Sequence, residues 1–479
     1  MVFESGFLIG SFLASVNQSE NRMLEEHLRK LSADLRGSVI TPASSEYEVA
    51  RKVYNGMIDR RPEAIARCVD VADVIAAVNF ARQNGLTVAI RGGGHNGAGL
   101  AVCDQGLVID LSPMKGVRVD PTNRTVRVGP GCTQGDVDHA THAFGLAVPA
   151  GIVSTTGIAG LTLGGGTGYL TRKYGLTIDN LVGADVVLAD GSFVTVDESH
   201  HEDLFRALRG GGGNFGVVTS FVFQAHPVGM VYAGPIFWDV KDARQVMQWY
   251  REFLPQAPLE LCPFLGVKTV PSTDPFPKEL WGKKICALIS CYNGPLEQAE
   301  EVVKPIRQKL PKPILDWMGP MPFPALQGLF DPLLPAGFQW YWKGDFVKEL
   351  SDQAIEVHLK YSAKAPSELS LMHMYPIDGA VHRVGRSETA WAFRDATWSM
   401  VIAGISPDPA QAKAITAWAK EYWEAVHPYT MGGAYVNFMM EEGTDRIKAT
   451  YRDNYGRLTE VKRKYDPNNF FHINQNIRP

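Results

Sequence analysis

A chain of 479 residues, 45% hydrophobic and 20% charged, exceeds the usual size of one hydrophobic core and is expected to form two domains or one elaborated domain. Its net charge of −4 argues against a nucleic-acid or anionic-membrane partner held by bulk charge, and a compact enzyme fits better. The six cysteines, Cys68, Cys103, Cys132, Cys262, Cys286 and Cys291, show no C-x-x-C pair and no matching histidine spacing, which points to buried thiols rather than to zinc or a disulfide framework.

At the N-terminus an apolar stretch, Gly6 to Val16, follows Glu4 where a signal peptide wants basic residues, and it is too short and polar-spotted to span a bilayer. The expectation is a cytoplasmic protein without a membrane partner, with a degenerate or uncleaved leader, and hence secretion, as the alternative. Residues 20 to 36 have Met23, Leu24, Leu28 and Leu31 at helical spacing, and Arg61 to Arg67 follows a loop containing a proline. Residues 1–50 are set apart as an extension. A second helix is predicted over Val71 to Asn84, ended by Gly85, and leads into a buried strand at Leu86 to Ile90. That strand stops at Arg91, and three glycines, Gly92, Gly93 and Gly94, deliver His95 and Asn96. Consecutive glycines hold backbone angles closed to other residues and leave amide N–H groups bare for an anion; the plainer reading is a tight turn with an incidental histidine.

Short strands are predicted at Gly106 to Asp110, Gly116 to Asp120 and Thr125 to Val128, then a helix at Asp136 to Ala143. Gly183 to Ala189 and Phe193 to Val196 read as a hairpin across Asp190-Gly191, Asp203 to Leu208 as a helix and Val217 to Gln224 as a strand. Near His226-Pro227 glycine becomes sparse and all ten tryptophans lie beyond it. From there helices (Ala243 to Phe253, Gln298 to Leu310, Asp352 to Tyr361, Pro409 to Ala425) alternate with strands (Lys284 to Ser290, Ser370 to Tyr375, Thr397 to Gly404), as for a sheet with helices over one face. A last helix is predicted over Thr444 to Lys464. The expected division is 51–229, 230–430 and a C-terminal segment 431–479.

Three glycine clusters, Arg91 to Gly99, Gly151 to Gly168 and Gly210 to Gly216, lie in one region, which suggests backbone wrapped around one long polar ligand such as a dinucleotide. A Rossmann fingerprint fails, because the glycines after Ile90 lead into Asn96-Gly-Ala-Gly and more β-structure rather than a helix.

Arg91-Gly-Gly-Gly-His-Asn, Pro149-Ala-Gly-Ile-Val-Ser-Thr-Thr-Gly, the run from Gly164 to Asn180, Arg209-Gly-Gly-Gly-Gly-Asn-Phe-Gly-Val-Val, Tyr435-Val-Asn and Tyr465-Asp-Pro-Asn-Asn-Phe-Phe-His-Ile-Asn-Gln-Asn-Ile together resemble the berberine bridge enzyme-like branch of the vanillyl-alcohol oxidase flavoproteins, from about residue 60 to the C-terminus. The resemblance implies an α+β, two-domain fold of the VAO/PCMH type, in which an FAD-binding domain and the C-terminal tail hold FAD and a substrate domain, an antiparallel sheet covered by helices, closes over it. It implies a covalent link from His95 to the flavin, which raises the flavin potential and prevents its loss; non-covalent stacking of His95 is the alternative. Cofactor contacts are implied at Arg91, Gly92, Gly93, Gly94, His95, Asn96 and Gly99, and at Pro149, Gly151, Val153, Thr156, Gly157, Gly160, Gly164, Gly166 and Tyr169. They are also implied at Asp179, Asn180, Asn214, Gly216, Val218, Tyr435, Asn437, Asn474 and Gln475. For Asp179 the alternative is a helix cap, and for the tail residues simple docking.

Many members carry a second link from a cysteine where this chain has Val153, so the resemblance implies a single link. Three residues on, where the family gates oxygen, Thr156 leaves room for O2 and favours an oxidase. The usual catalytic base is missing, since the corresponding places hold Val401 or Ile402 and Phe438. The remaining candidates are Tyr435, acidified by Asn437 or a cation, and His373 and Tyr375, which alternation puts on one face; for the last two a satisfied buried polar role is the alternative, as is a reaction that needs no base. Trp340, Trp342, Trp391 and Trp398 are candidates for pocket wall or core. The implied activity is oxidation of an alcohol, amine or similar small molecule with O2 as acceptor and no metal, the alternatives being a dehydrogenase with another acceptor or a flavin-retaining binding protein that has lost its base. Oligomeric state is not legible.

Overall fold

The computed structural model describes residues 25–479. The stretch Gly6 to Val16 and the start of the helix expected from residue 20 lie outside them, and residues 25–34 are helical. Among the described residues no helix is long and apolar enough to cross a membrane.

A first, four-stranded sheet carries Ser38–Ile40, Ala64–Arg67, Leu107–Asp110 and Val88–Arg91 in that spatial order. Ala64–Arg67 and Val88–Arg91 flank Leu107–Asp110 in parallel, so the connection between them needs a crossover. The helix Val71–Gln83 supplies it. Asp70 caps its N-terminus by accepting from the Asp73 amide, Val74, Ala77, Val78 and Ala81 are buried, and Gly85 ends it with φ of +62°. A second sheet of five antiparallel strands runs Val117–Asp120, Thr125–Val128, Val217–Gln224, Leu181–Val187, Phe193–Val196.

The third sheet has eight strands, all paired antiparallel. Its central run is Met230–Asp239, Lys284–Tyr292, Leu261–Thr269, Leu371–Pro376, Trp398–Ser406, Gln339–Val347. One face packs Leu265, Val267, Met372, Met374, Met400 and Ile402 against the helices Ala243–Phe253, Ala299–Gln308, Asp352–Ser362 and Ala412–Val426. The opposite face carries Phe264, Ala287, Ile289, Tyr375, Val401 and Ala403. The expectation of helices over one face is met. Besides the short edge strands Leu315–Asp316 and Gly319–Pro322, three long strands escape sequence reading: Met230–Asp239, Leu261–Thr269 and Gln339–Val347. They are buried on both faces, so their apolar residues do not alternate, and Gly234, Pro235, Pro263 and Gly266 interrupt them.

The helix expected over Thr444 to Lys464 is two helices, Thr444–Tyr451 and Asn454–Tyr465, separated by Arg452 at φ +47°. Arg452 lies 3.4 Å above the Phe393 ring and pairs with Asp395 at 2.9 Å, and the redirected chain lets Asn454 Nδ2 donate to the Arg386 and Thr389 carbonyls. All six cysteines are buried and free, as composition suggested.

Buried ions tie the pieces together. The Arg172 guanidinium, 1% exposed, donates to the Asp378 carboxylate and to the Leu254, Pro258 and Leu261 carbonyls, joining the second glycine cluster to the large sheet. Lys462, fully buried, donates to Asp466, to the Asn214 carbonyl and to the Phe471 carbonyl, while Asp466 accepts the Phe470 and Phe471 amides. The tail is thereby tied to the third glycine cluster. Replacing Lys462 by Met leaves the Asp466 charge buried without its partner, which costs about 3–5 kcal/mol. The expected result is a lower midpoint of urea unfolding than in wild type, and an unchanged midpoint would count against this anchoring role.

Candidate functional site

The strand Val88–Arg91 ends where a cavity of about 390 Å3 begins, between the first two sheets and the open face of the third. All three glycine clusters reach its wall. Gly93 and Gly157 cross so closely that a Cβ on Gly93 would stand 2.5 Å from Gly157 Cα, and one on Gly157 would stand 2.6 Å from Gly93 Cα. Gly160 and Gly213 line the cavity with nothing within 4 Å of a notional Cβ, so a side chain there would project into the open space. The Arg91 guanidinium is not in the lining: it pairs with buried Asp110 at 2.9 Å and donates to the Ala50 carbonyl at 2.6 Å, holding the end of the strand from behind.

His95 lines the cavity and stacks on Tyr54 with ring centroids 3.8 Å apart and planes inclined by 20°. Burial pulls its imidazole down to about 4, so the ring is neutral at ordinary pH, and its Nε2 is buried with no hydrogen-bond partner. Tyr54 donates from its amide to Gly94 O and from its hydroxyl to Leu334 O. The next residue, Asn55, is 1% exposed and donates to the Gly97 and Trp340 carbonyls at 2.7 and 2.9 Å while accepting the Trp340 amide. This amide clamps the histidine loop to the large sheet. Neither Tyr54 nor Asn55 is visible as functional in the sequence, because both lie outside the glycine motifs in a loop of unremarkable composition.

Of the remaining expected cofactor residues, Gly151, Val153, Thr156, Gly216, Val218, Asn437, Asn474 and Gln475 line the cavity. Gly99, Pro149, Gly164, Gly166, Tyr169 and Asn214 do not. Gly164 sits against Asn437, Gly166 donates its amide to the Tyr435 hydroxyl, and Tyr169 stacks on Phe264. Asn214 Nδ2 donates to the Gly211 and Gln475 carbonyls, and Asn474 Nδ2 to the Gly213 carbonyl, so the tail both docks and reaches the cavity. Asp179 and Asn180 are not in the lining either. The Asp179 carboxylate is engaged by Arg394 at 2.7 and 2.8 Å and by the Leu176 amide, which is the capping alternative; Asn180 accepts from His226 and donates to the Leu176 carbonyl.

The three candidate bases all line the cavity, and Tyr435, Phe438, Tyr375 and His373 form a chain of neighbouring rings 4.7 to 5.3 Å apart. None is poised to take a proton near neutrality. Burial raises Tyr435 to about 12, only partly offset by Asn437 and the Gly166 amide, so the expected acidification does not occur. Burial also raises Tyr375, and burial with the charge of Lys268 pushes His373 down to about 3. Lys268 itself lines the cavity, and sequence reading missed it; the only signal is one lysine in the apolar run Phe264-Leu-Gly-Val-Lys. Trp340 and Trp342 are cavity wall, whereas Trp398 donates to the Tyr250 hydroxyl on the helix side and Trp391 packs on Phe346.

The geometry suits a long ligand with a polar backbone-bound half and a planar half. Bare glycine amides and open space at Gly160 and Gly213 accept the former, and the Tyr54-backed His95 with Tyr435 and Asn437 opposes the latter. Comparison with known proteins agrees with that fit. A family model described as an FAD binding domain matches residues 62–197, and one described as berberine and berberine like matches 434–478. An FAD-linked oxidoreductase of Dictyostelium discoideum is 33% identical over 448 residues, covering 93% of this chain and 95% of that protein. Xylooligosaccharide oxidase of Thermothelomyces thermophilus is 29% identical over 475 residues, 91% of each. The crystal structure of 6-hydroxy-D-nicotine oxidase from Arthrobacter nicotinovorans superposes with a TM-score of 0.84 at 28% identity, covering 93% of this chain and 98% of that one.

Because the loops meet with no room for a Cβ, Gly157→Ala is expected to cost about 1–3 kcal/mol and to lower flavin content. Thermal melting and the ratio of visible to ultraviolet absorbance measure both. Gly456→Ala, inside the helix Asn454–Tyr465 where a Cβ would meet nothing within 4 Å, serves as a comparison that leaves flavin content unchanged and raises rather than lowers the melting temperature, because alanine favours a helix over glycine by about 1 kcal/mol.

Proposed function

The chain belongs to the berberine bridge enzyme-like FAD-linked oxidoreductases of the VAO/PCMH fold, and from that premise we propose that it is an oxidase carrying FAD on His95 through a single covalent bond. The observation that carries this reading is His95 itself: a neutral imidazole with an unpartnered ring nitrogen, braced by Tyr54 at the mouth of a glycine-walled cavity. A neutral ring keeps a lone pair for bond formation, where a protonated one would not. Val153 lines the same cavity with no thiol to offer, which supports one link rather than two. On this reading residues 51–229 and 431–479 hold the cofactor and residues 230–430 cover the substrate.

When held by these residues, FAD would supply a two-electron acceptor for the substrate's hydride and a donor of those electrons to O2, which with the heteroatom proton would give H2O2. The chain's own residues bind and orient. Gly160, Gly213 and their neighbours leave space against bare amides, Tyr435 and Asn437 present a fixed pair of hydroxyl and amide, and the apolar face of the large sheet excludes water. An alcohol would become a carbonyl compound and an amine an imine, each also giving up the proton on its heteroatom. With Tyr435 and Tyr375 raised and His373 neutral and weakly basic, that proton is released without a strong internal base, which suits an amine bound neutral. Thr156 on the cavity wall leaves room for O2.

Acid precipitation tests the link: a yellow, fluorescent pellet is expected, and a colourless pellet under a yellow supernatant would contradict it. His95→Ala is expected to release or lose the flavin while keeping the fold. Reoxidation of the anaerobically reduced protein by air, followed by stopped flow, is expected to outpace free flavin, and a rate no faster would assign another acceptor. Alcohols, amines and oligosaccharides screened for anaerobic bleaching of the flavin band identify the donor class.

A further inference from the structure

Where the open face of the large sheet walls the cavity it is almost wholly apolar, and one charge stands there. Phe237, Ile289, Val401 and Ala403 give the wall its character, yet Lys268 projects from the strand Leu261–Thr269 into the same cavity. Among the described lining residues it is the one formally charged side chain, and no Asp or Glu joins it. It forms no hydrogen bond or ion pair with another described residue, and burial alone holds its ammonium down to about 8. An enclosed cation without a counter-charge is costly and is normally neutralised by a partner.

The register shows what surrounds it. Lys268 lies opposite Leu371, Leu371 opposite Ala403 and Ala403 opposite Trp342, so these residues form one row across the sheet. Trp342 closes the far end of that row against Gly97, two residues beyond His95, with its indole Nε1 buried and unpartnered. On the next row, His373 lies opposite Gly266, and a Cβ there would come within 3.4 Å of its ring, so the missing side chain leaves the imidazole edge open beside Lys268. His373 Nε2 is also buried and unpartnered. Along their strand Leu371, His373 and Tyr375 share the cavity face, which sets the Lys268 row about 14 Å from Tyr375 at ~3.4 Å per residue. Tyr375 in turn packs on Phe438 beside Tyr435. The wall therefore offers an apolar track with unused donors at one end and the proposed reaction site at the other.

We propose that Lys268, with His373 beside it, receives a carboxylate of the substrate, so that the enzyme acts on an apolar or aromatic small molecule bearing an acidic group remote from the carbon that is oxidised. The same charge disfavours a cationic substrate. This rests on the assignment of the cavity as the substrate chamber. Other titratable groups along the row are already engaged: the Asp239 carboxylate, two strands away, accepts the Lys241 amide, and Glu368, at the strand's outer end, accepts from Ser272. His373 stays neutral down to about 3.

Isothermal titration of the flavin-loaded protein with 2-naphthoate and with the neutral 2-naphthamide, at about pH 7, tests the site. Naphthoate is expected to bind about tenfold more tightly than the amide, Lys268→Met to abolish that preference without changing amide binding, and Lys268→Arg to retain it. The wild-type preference is expected to fade as the pH rises past about 8, because the ammonium is present below that value and lost above it; this series stands alone if Lys268→Met fails to fold. Naphthoate binding no tighter than the amide in wild type, or a preference that survives Lys268→Met, overturns the proposal. Naphthoate preference in a protein whose flavin no donor bleaches supports the lysine site and overturns the proposed oxidation, and bleaching by neutral donors without the preference does the reverse.

Discussion

The crossing of two backbones at Gly93 and Gly157 is the constraint on which the site depends. Two loops from different parts of the chain approach until neither can carry a Cβ, and the closeness of that approach presents His95 to the cavity rather than to solvent. The neighbouring contacts follow from it. Arg91 pairs with Asp110 behind the loop, Tyr54 stacks on the imidazole in front, and Asn55 fastens the far side of the loop to the large sheet. A histidine held on three sides without a hydrogen-bond partner for Nε2 is kept neutral by burial, not by tuning from a charge.

The parts of the molecule that meet at the cavity are joined by charges that water cannot reach. Arg172 and Arg394 each take a carboxylate from a segment distant in sequence, Arg172 several distant carbonyls besides, and Lys462 joins Asp466, four residues on, to the distant Asn214 carbonyl. Such pairs add little net stability over apolar packing of the same shape, but each is strongly position-specific, since a displaced partner leaves a bare charge. They act as registration points between the glycine clusters, the large sheet and the tail. Lys268 breaks the pattern: half-buried, it faces the cavity and, unlike them, has no carboxylate partner among the described residues.

Much of the cofactor half was legible in the sequence, and for a local reason. Glycine at positive φ or at a backbone crossing leaves a mark in the residue type itself, so the three clusters could be read one by one, while the roles of the histidine and of the tail motif came from the family resemblance. The helix Val71–Gln83 was equally readable, with one buried stripe and terminal Gly85, whereas its Asp70 cap emerged only from the structure. Arg91 and Asp179 were read as cofactor contacts because they sit within the motifs; their side chains instead turn away to Asp110 and Arg394, and motif position does not encode direction.

The substrate half was read less well. Strands such as Leu261–Thr269 are covered on both faces, which erases the alternation that marks a half-buried strand, and Lys268 was lost with its strand. That Tyr435 is raised to about 12 rather than acidified is a matter of burial, which exists only after packing. By itself, then, the sequence determined where backbone must come close and which side chain that closeness delivers, because steric demands are written in single residues. Only the tertiary structure decided which charges are spent on the fold, which are left in the cavity and what burial does to their protons, because those depend on neighbours far away in the chain.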